Sequence, residues 1–109
     1  MNVVILRGRL VKDVEVRYTS TGKAVANFTL AVNRLTKNDK DEYDVDFINC
    51  VIFNKSSEFM QKYTNKGDMV EITGSIQTSN YKDKDNKTIY KTDIIVNTIE
   101  LVSSKKEPF

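Results

Sequence analysis

Aromatic residues on predicted strands are the side chains of this sequence best placed to do chemistry. Residues 45–54 are rich in Val, Ile and Phe and lie between polar segments, which predicts a β-strand. Successive side chains of a strand point to opposite faces, so Phe47 and Phe53 share one face. They lie six residues apart, which is roughly 20 Å at the rise of a strand. This distance is too wide for one small-molecule pocket and suits two contacts along an extended ligand.

Two interpretations of these rings are open from the strand alone. Aromatic residues in strands commonly pack in the core, and Phe47 and Phe53 fit that role as well as a binding role. Tyr81 differs, because it ends the polar face of a long predicted strand over residues 68–81. That position makes Tyr81 a poor candidate for the core.

Catalytic chemistry finds no support in the sequence. The chain has one Cys and no His, which excludes an internal disulfide and argues against a zinc site. It contains neither a Gly-rich phosphate loop with Lys and Ser/Thr nor a nucleophile elbow. The lone Cys50 is predicted to be a small buried hydrophobic residue. We therefore expect a non-enzymatic protein that needs no cofactor or metal.

Composition limits the remaining possibilities. The 109 residues suffice for one domain, and 39% hydrophobic with 29% charged residues is ordinary for a folded chain. The net charge of +2, from 17 basic and 15 acidic residues, is too small to indicate nucleic acid by itself. No apolar run approaches the length of a membrane span, and the N-terminus lacks the apolar region of a signal peptide. We therefore expect no membrane contact and a cytoplasmic location.

Hydrophobic periodicity predicts three strands, one helix and two strands. The strands are expected at residues 2–11 with an extension over 14–18, then 24–34, 45–54, 68–81 and 88–102, and the helix at 56–64. Five strands in about 100 residues twist too strongly to stay flat and close into a small barrel. A single helix between the third and fourth strands must plug one end of it, which describes the all-β OB-fold. The domain is expected to cover residues 1–102, with a short tail over residues 103–109.

Alternation along the strands also predicts which side chains face the barrel interior. The inward rows are Val4, Leu6, Gly8 and Leu10; Ala24, Ala26, Phe28, Leu30 and Val32; and Val70, Ile72, Gly74 and Ile76. On the last strand, Ile94, Val96 and Thr98 are expected to share one face, with Ile95, Asn97 and Ile99 on the other. These rows define the expected core.

Three segments of the sequence resemble the bacterial-type single-stranded DNA-binding protein family. They are Ile5–Asp13 followed by Glu15–Thr19, then Gly22–Arg34, then Asp46–Lys55, and residues 66–68 and 74–81 continue the similarity. The similarity covers residues 2 to about 102 and does not rest on one short motif. It implies an OB-fold protein that binds and coats single-stranded DNA without strong sequence preference, during replication, recombination or repair.

The resemblance implies roles for individual residues. The positions where the family stacks bases on aromatic rings are occupied by Phe47, Phe53 and Tyr81. The usually basic positions that would meet phosphates are occupied by Arg34, Lys55 and Lys66. The family also forms tetramers by pairing first strands between protomers. A homotetramer is therefore expected, since Val3 and Ile5 lie on a face that a lone barrel would leave in water.

The sequence departs from the family pattern within the barrel. The family commonly has a basic residue at the position of Ser79 and often a further aromatic residue near Leu35. Both are missing, which implies weaker or shorter binding. Val14 stands where the family usually has Pro, which we interpret as a difference in a turn.

The C-terminal tail departs further from the family. The family's long linker and acidic tip are absent, and Pro108 and Phe109 follow Lys105, Lys106 and Glu107. In the family this ending docks other replication proteins, so the two lysines imply a weak contact. The short tail also favours a mobile-element origin or an artificially shortened end, without deciding between them. The expected location is the cytoplasm near the nucleoid, or the host cytoplasm if the protein is phage-encoded.

Two other functions are alternatives to a coat for single-stranded DNA. One is an OB-fold adaptor of a primosome or replication complex, which would bind proteins first and DNA second. The other, more distant, is a nuclease subunit that would cleave labelled DNA in the presence of magnesium.

Overall fold

The computed structural model describes residues 1–103 of the chain. This part consists of six strands and one helix. They are β1 (Val4–Leu10), β2 (Val16–Tyr18), β3 (Ala24–Lys37), β4 (Tyr43–Phe53), α1 (Asn54–Tyr63), β5 (Met69–Lys82) and β6 (Thr88–Ser103). The predictions about the tail, including Lys105, Lys106, Glu107, Pro108 and Phe109, fall outside the described residues. Over residues 1–103, no helix has the length and apolar character needed to cross a membrane.

The OB-fold prediction is confirmed. β1 and β2 are the two halves of the predicted first strand, separated by residues 11–15. Counted together, they leave five barrel strands with α1 between the third and the fourth, where a helix was expected. The helix begins two residues earlier than the predicted range of 56–64.

The barrel closes because β1 pairs with two neighbours. Its residues Val4–Arg9 lie antiparallel to β5, and Arg9 and Leu10 lie opposite Ala31 and Leu30 of β3. At the change of partner, a Cβ on Gly8 would lie 2.7 Å from the carbonyl oxygen of Ala31. A residue without a side chain is therefore required for this close backbone approach. On the far side, β4 and β6 pair in parallel around Cys50 and Ile94.

The inward rows meet in one core beneath the barrel wall, as predicted for β1, β3 and the first half of β5. Its buried members include Leu10, Ala26, Phe28, Leu30, Cys50, Ile52, Val70 and Ile72. The helix contributes Met60, which is fully buried among them. Burial, and secondarily the Asp93 carboxylate, raises the pKa of the Cys50 thiol to about 12. Cys50 is thus a neutral hydrophobic side chain, as its place in the strand predicted.

The predicted inward position of Ile76 is wrong, since its side chain is 46% exposed. β1 begins at Val4, opposite Gly74, so β5 beyond this point has β6 as its strand partner in the described chain. The Asn2 side chain extends β1 by binding the Ile76 backbone, donating to its carbonyl at 2.7 Å and accepting from its N–H at 2.9 Å. Residues 77–82 and 88–93 therefore form a two-stranded arm, and Ile76, at its base opposite Ile94, is left uncovered by β1.

The face prediction for β6 also fails, at a bulge. Thr73 lies opposite Thr98 and Gly74 opposite Val96, which leaves Asn97 as an extra residue on β6. An extra residue shifts the alternation by one position. Ile99 consequently packs against the core on the same side as Ile94 and Val96, whereas simple alternation assigned that side to Thr98.

We predict that Gly74→Ala destabilises the barrel by about 1–3 kcal/mol, the usual cost of overpacking. A Cβ at Gly74 would lie 2.1 Å from the carbonyl oxygen of Ile95, a backbone atom that cannot rotate away. Urea unfolding followed by circular dichroism measures the change. Ser75→Ala, at the next residue, is the control and should change stability by less than about 0.5 kcal/mol. Equal unfolding midpoints for Gly74→Ala and the unmutated protein would contradict the packing argument.

Candidate nucleic-acid interface

The outer face of β4 presents Phe47 to solvent. Its cross-strand neighbour on β3 is Ala31, whose methyl group is too small to cover a ring. The Phe47 side chain is 66% exposed, while Cys50 and Ile52 on the inner face of the same strand are buried. The alternative that Phe47 belongs to the core is therefore wrong. A ring left open in this way is available for stacking.

Phe53 ends β4 in a half-buried position opposite Val25. The Lys23 ammonium lies 4.4 Å from the centroid of its ring, a cation–π contact. Lys23 ends a turn closed by Thr19, which accepts from the Lys23 N–H at 3.1 Å and donates its own N–H to the Lys23 carbonyl at 2.9 Å. The turn therefore brings a cation to the aromatic face. Sequence analysis missed Lys23, because the pairing of ring and ammonium depends on the turn.

An open groove of about 770 Å³ is lined by residues of β3, β4 and β6 and of the segments that follow β1 and α1. Its floor includes Thr29 and Asn49, the outward residues of β3 and β4, and the Thr29 hydroxyl donates to Asn49 Oδ1 at 3.3 Å. Asn49 lies between Phe47 and Phe53 on the same face of β4, although neither ring is among the residues that line the groove. The walls are residues 11–15 with Lys66 on one side and Lys91 with Asp93 on the other.

The groove carries cations and carboxylates in nearly equal number. Lys66 belongs to it, and its backbone N–H donates to the Asp13 carboxylate at 2.7 Å. Lys91 forms an ion pair of 3.6 Å with Asp93. The remaining charged side chains of the wall are Lys12 and Glu15. Because the charges are mixed, electrostatic attraction of a polyanion is modest and apolar contacts must supply much of any affinity.

Tyr81 lies on the arm, exposed and opposite Ile89. By alternation it shares a face of the arm with Ser79 and with Lys91, which lies directly opposite Ser79. The family commonly has a basic residue at the position of Ser79. In this chain Lys91, on the neighbouring strand, supplies a cation beside that position. Sequence analysis missed Lys91, although a strand pairing of residues 79 and 91 would have revealed it.

Arg34 and Lys55 lie apart from the rings. Lys55 is exposed in the first turn of α1, two residues after Phe53. The Arg34 guanidinium binds both carboxylate oxygens of Asp46, at 3.1 and 3.0 Å, and approaches Asp44 at 3.9 Å. Asp46 is adjacent to Phe47 on β4 and so points to the opposite face of the strand. Of the predicted site residues, Lys66 lines the groove, whereas Phe47, Phe53, Tyr81 and Lys55 do not. Phe47 and Phe53 share the face of β4 that carries the groove residue Asn49, and Arg34 lies on the opposite face of the hairpin.

The Arg34–Asp46 pair changes the titration of both groups. The hydrogen bond from Arg34 lowers the pKa of the Asp46 carboxyl below its ordinary value of 3.8. Desolvation opposes this shift, and the charge of Arg34 adds a smaller lowering effect. The same bond raises the pKa of the guanidinium. A group with a lowered folded-state pKa stabilises the fold above its unfolded-state pKa, and this contribution is lost as the pH falls through the folded value. The pair is therefore fully formed at neutral pH.

Comparison with known proteins matches the sequence of this chain to a single protein family. The single-strand binding protein family model matches residues 1–102. Single-stranded DNA-binding protein 3 of Listeria innocua is 45% identical over 106 residues, which are 97% of this chain and 66% of that protein. Single-stranded DNA-binding protein 1 of Streptococcus pyogenes is 44% identical over 105 residues, which are 96% of this chain and 81% of that protein. The chain therefore spans just under two thirds of the Listeria innocua relative.

Replacing the guanidinium should move the titration of its partner. In Arg34→Ala, we predict that the pKa of the Asp46 carboxyl rises toward its ordinary value, because the hydrogen bond that lowers it is gone. A pH titration of the side-chain carboxyl carbons by NMR measures this shift directly. Arg7→Ala serves as a control, since Arg7 pairs with Glu71 on a distant face at 3.5 Å. If the Asp46 pKa is unchanged in Arg34→Ala, the two hydrogen bonds between the Arg34 guanidinium and the Asp46 carboxylate are not maintained in solution.

Proposed function

The chain belongs to the single-strand binding protein family, and from this premise we propose that it binds and coats single-stranded DNA. The binding has no strong sequence preference and serves replication, recombination or repair. No catalytic step forms part of the proposal. The names of the relatives, all single-stranded DNA-binding proteins, favour this function over the adaptor and nuclease alternatives.

The observation that carries the proposal is the exposed aromatic face of β4. Phe47 lies on the exposed face of β4, and further along the strand Cys50 and Ile52 anchor the opposite face in the core, so the ring is open on a fixed strand. Every base has an apolar face, and stacking therefore holds a single strand with little regard to sequence. Phe53, on the same face of β4, and Tyr81, on the same face of the arm as the groove residue Lys91, are proposed as the second and third stacking residues.

Phosphate contacts are proposed for the cations around these rings. Lys55 and Lys66 keep the role expected from their positions. Lys23 joins them because its ammonium lies 4.4 Å from the centroid of the Phe53 ring, and Lys91 joins them because it lines the groove. Arg34 reaches a phosphate only by exchanging its bond to Asp46 for one to DNA. Since each phosphate neutralised on a single strand contributes about −0.7 to the slope of log K against log salt, a few such contacts give a moderate salt dependence.

Contacts with replication proteins through Pro108 and Phe109, and a position near the nucleoid in the cytoplasm, are also proposed. They rest on the resemblance of the sequence to the family, and Pro108 and Phe109 lie outside the described residues.

Removing one stacking ring should weaken DNA binding. Phe47→Ala and Tyr81→Ala are each expected to cost about 1–3 kcal/mol in binding to oligo(dT), the usual value for one base on one aromatic side chain. Fluorescence titration at fixed salt measures the loss, with an oligonucleotide of mixed sequence as a test of base preference. Unfolding midpoints of both variants should match that of the parent, because both rings are exposed. Parental affinity in both folded variants would refute the assignment of the groove.

A homotetramer is proposed from the first strand. Val3 and Ile5 are exposed on the outer face of the barrel, and β1 between Val4 and Gly8 has β5 as its strand partner within the described residues. An open strand edge beside apolar side chains is a natural site for pairing with another copy.

We predict a solution mass of about four times the 12.5 kDa chain by multi-angle light scattering at micromolar concentration. Ile5→Lys should lower that mass, because a charge at the paired edge opposes association. Thr73→Lys, which places the same charge opposite Ile5 on β5, separates an effect on the shared face from an effect on the β1 edge. A monomeric mass for the unmutated chain would reject the assembly.

A further inference from the structure

Tyr43 is a third aromatic residue on the outer face of β4, which none of the assignments above uses. It is the first residue of the strand and precedes Phe47 by four residues, which is about 13 Å at strand rise. The register irregularity of this hairpin falls between Asn33 and Lys37 of β3, which pair with Val45 and Tyr43. The extra residues therefore belong to β3, and alternation along β4 keeps Tyr43, Val45 and Phe47 on one face.

The three side chains form an uncovered apolar strip. Tyr43 is 52% exposed, and Val45 and Phe47 are exposed beside it. The core cluster contains none of the three, so packing within the barrel does not explain their type. An exposed apolar strip on the face of β4 that carries Phe47 is a candidate for contact with a ligand.

The charges around Tyr43 are compatible with a bound polyanion. Lys37 lies opposite Tyr43, and its ammonium is 5.6 Å from the centroid of the ring. This cation is also paired with Asp41 at 3.4 Å, which holds it near the ring and reduces its net charge. Asp44, the next residue of β4, points to the opposite face, where the Arg34 guanidinium approaches it at 3.9 Å. The nearest carboxylate of the strand therefore does not stand over the ring.

On the premise of the proposed function, we propose that Tyr43 is a further base-stacking residue, the outermost of a row that continues along β4 with Phe47 and Phe53. The first and last rings of this row, Tyr43 and Phe53, lie ten positions apart on one strand, which is about 33 Å at strand rise. A single strand of DNA that follows β4 past the groove meets Tyr43 at the end of the hairpin. The ring takes one unpaired base, and Lys37 lies within reach of the adjacent phosphate.

Replacement of the ring tests the proposal directly. Tyr43→Ala should weaken binding to an oligo(dT) long enough to span the whole face by about fivefold or more, the lower end of the value for one stacked base. Tyr43→Phe keeps the stacking ring and should bind like the parent. Tyr63→Ala is the matched control, because Tyr63 is 54% exposed but lies on α1 against Phe59. Its affinity should not change.

A spectroscopic variant tests the contact itself. The chain contains no Trp, so Tyr43→Trp introduces a single indole on the strip. Saturation with oligo(dT) should quench its fluorescence, as it should for Tyr81→Trp on the arm. This signal does not depend on Tyr43→Ala remaining folded.

The outcomes separate this proposal from the proposed function. Loss of affinity in Phe47→Ala and Tyr81→Ala, together with parental affinity in Tyr43→Ala and an unquenched indole in Tyr43→Trp, would overturn the role of Tyr43 and leave the DNA-binding function intact. Equal losses in Tyr43→Ala and Tyr63→Ala would also overturn it. Absence of oligo(dT) binding by the unmutated chain would remove the proposed function, and the role of Tyr43 with it.

Discussion

Closure of the sheet on itself through β1 is the constraint on which the rest of this structure depends. β1 changes partner from β5 to β3 beside Gly8, where its backbone approaches Ala31 too closely for any side chain. Once the sheet is closed, one face of each barrel strand is sealed from water and must be filled by apolar side chains. The other face is then free to carry rings that the core does not need. Covering such a ring with a base removes apolar surface from water, which is favourable by about 25 cal/mol per Å².

The arm follows from the same closure. β5 and β6 continue beyond the point where β1 begins, so their outer halves pair with each other above the barrel. The bulge at Asn97 shifts the alternation of side chains on β6 by one residue near the base of the arm. Because Gly74 has no side chain, its backbone can lie close to that of β6 at this point. This geometry places Tyr81 and Lys91 on one face of the arm, on the side of the groove wall that Lys91 and Asp93 form.

Carboxylates accompany the cations around the groove. Lys91 pairs with Asp93, and the backbone of Lys66 is held by Asp13; on the other face of the hairpin, Arg34 binds Asp46. Exposed pairs of this kind add little to stability, and their main effect is to fix side chains and to reduce the local positive potential. A site with a small net charge depends more on stacking than a strongly basic groove does. The aromatic side chains along β4 provide the surfaces on which such stacking would take place.

The sequence by itself determined the order of the elements, the OB-fold, the inward rows of β1 and β3, and the pairing of Phe47 with Phe53 on one face of β4. These are local properties, because the two-residue alternation of a strand and the periodicity of a short amphipathic helix depend on residues that are neighbours in the sequence. Only the tertiary structure decided that Phe47 is open to solvent, that Arg34 is bound to Asp46, that Lys91 stands opposite Ser79, and that Ile76 and Ile99 depart from simple alternation. Each of these depends on which residue of a distant strand lies opposite, and a bulge of one residue changes that register without leaving a signal in either strand alone.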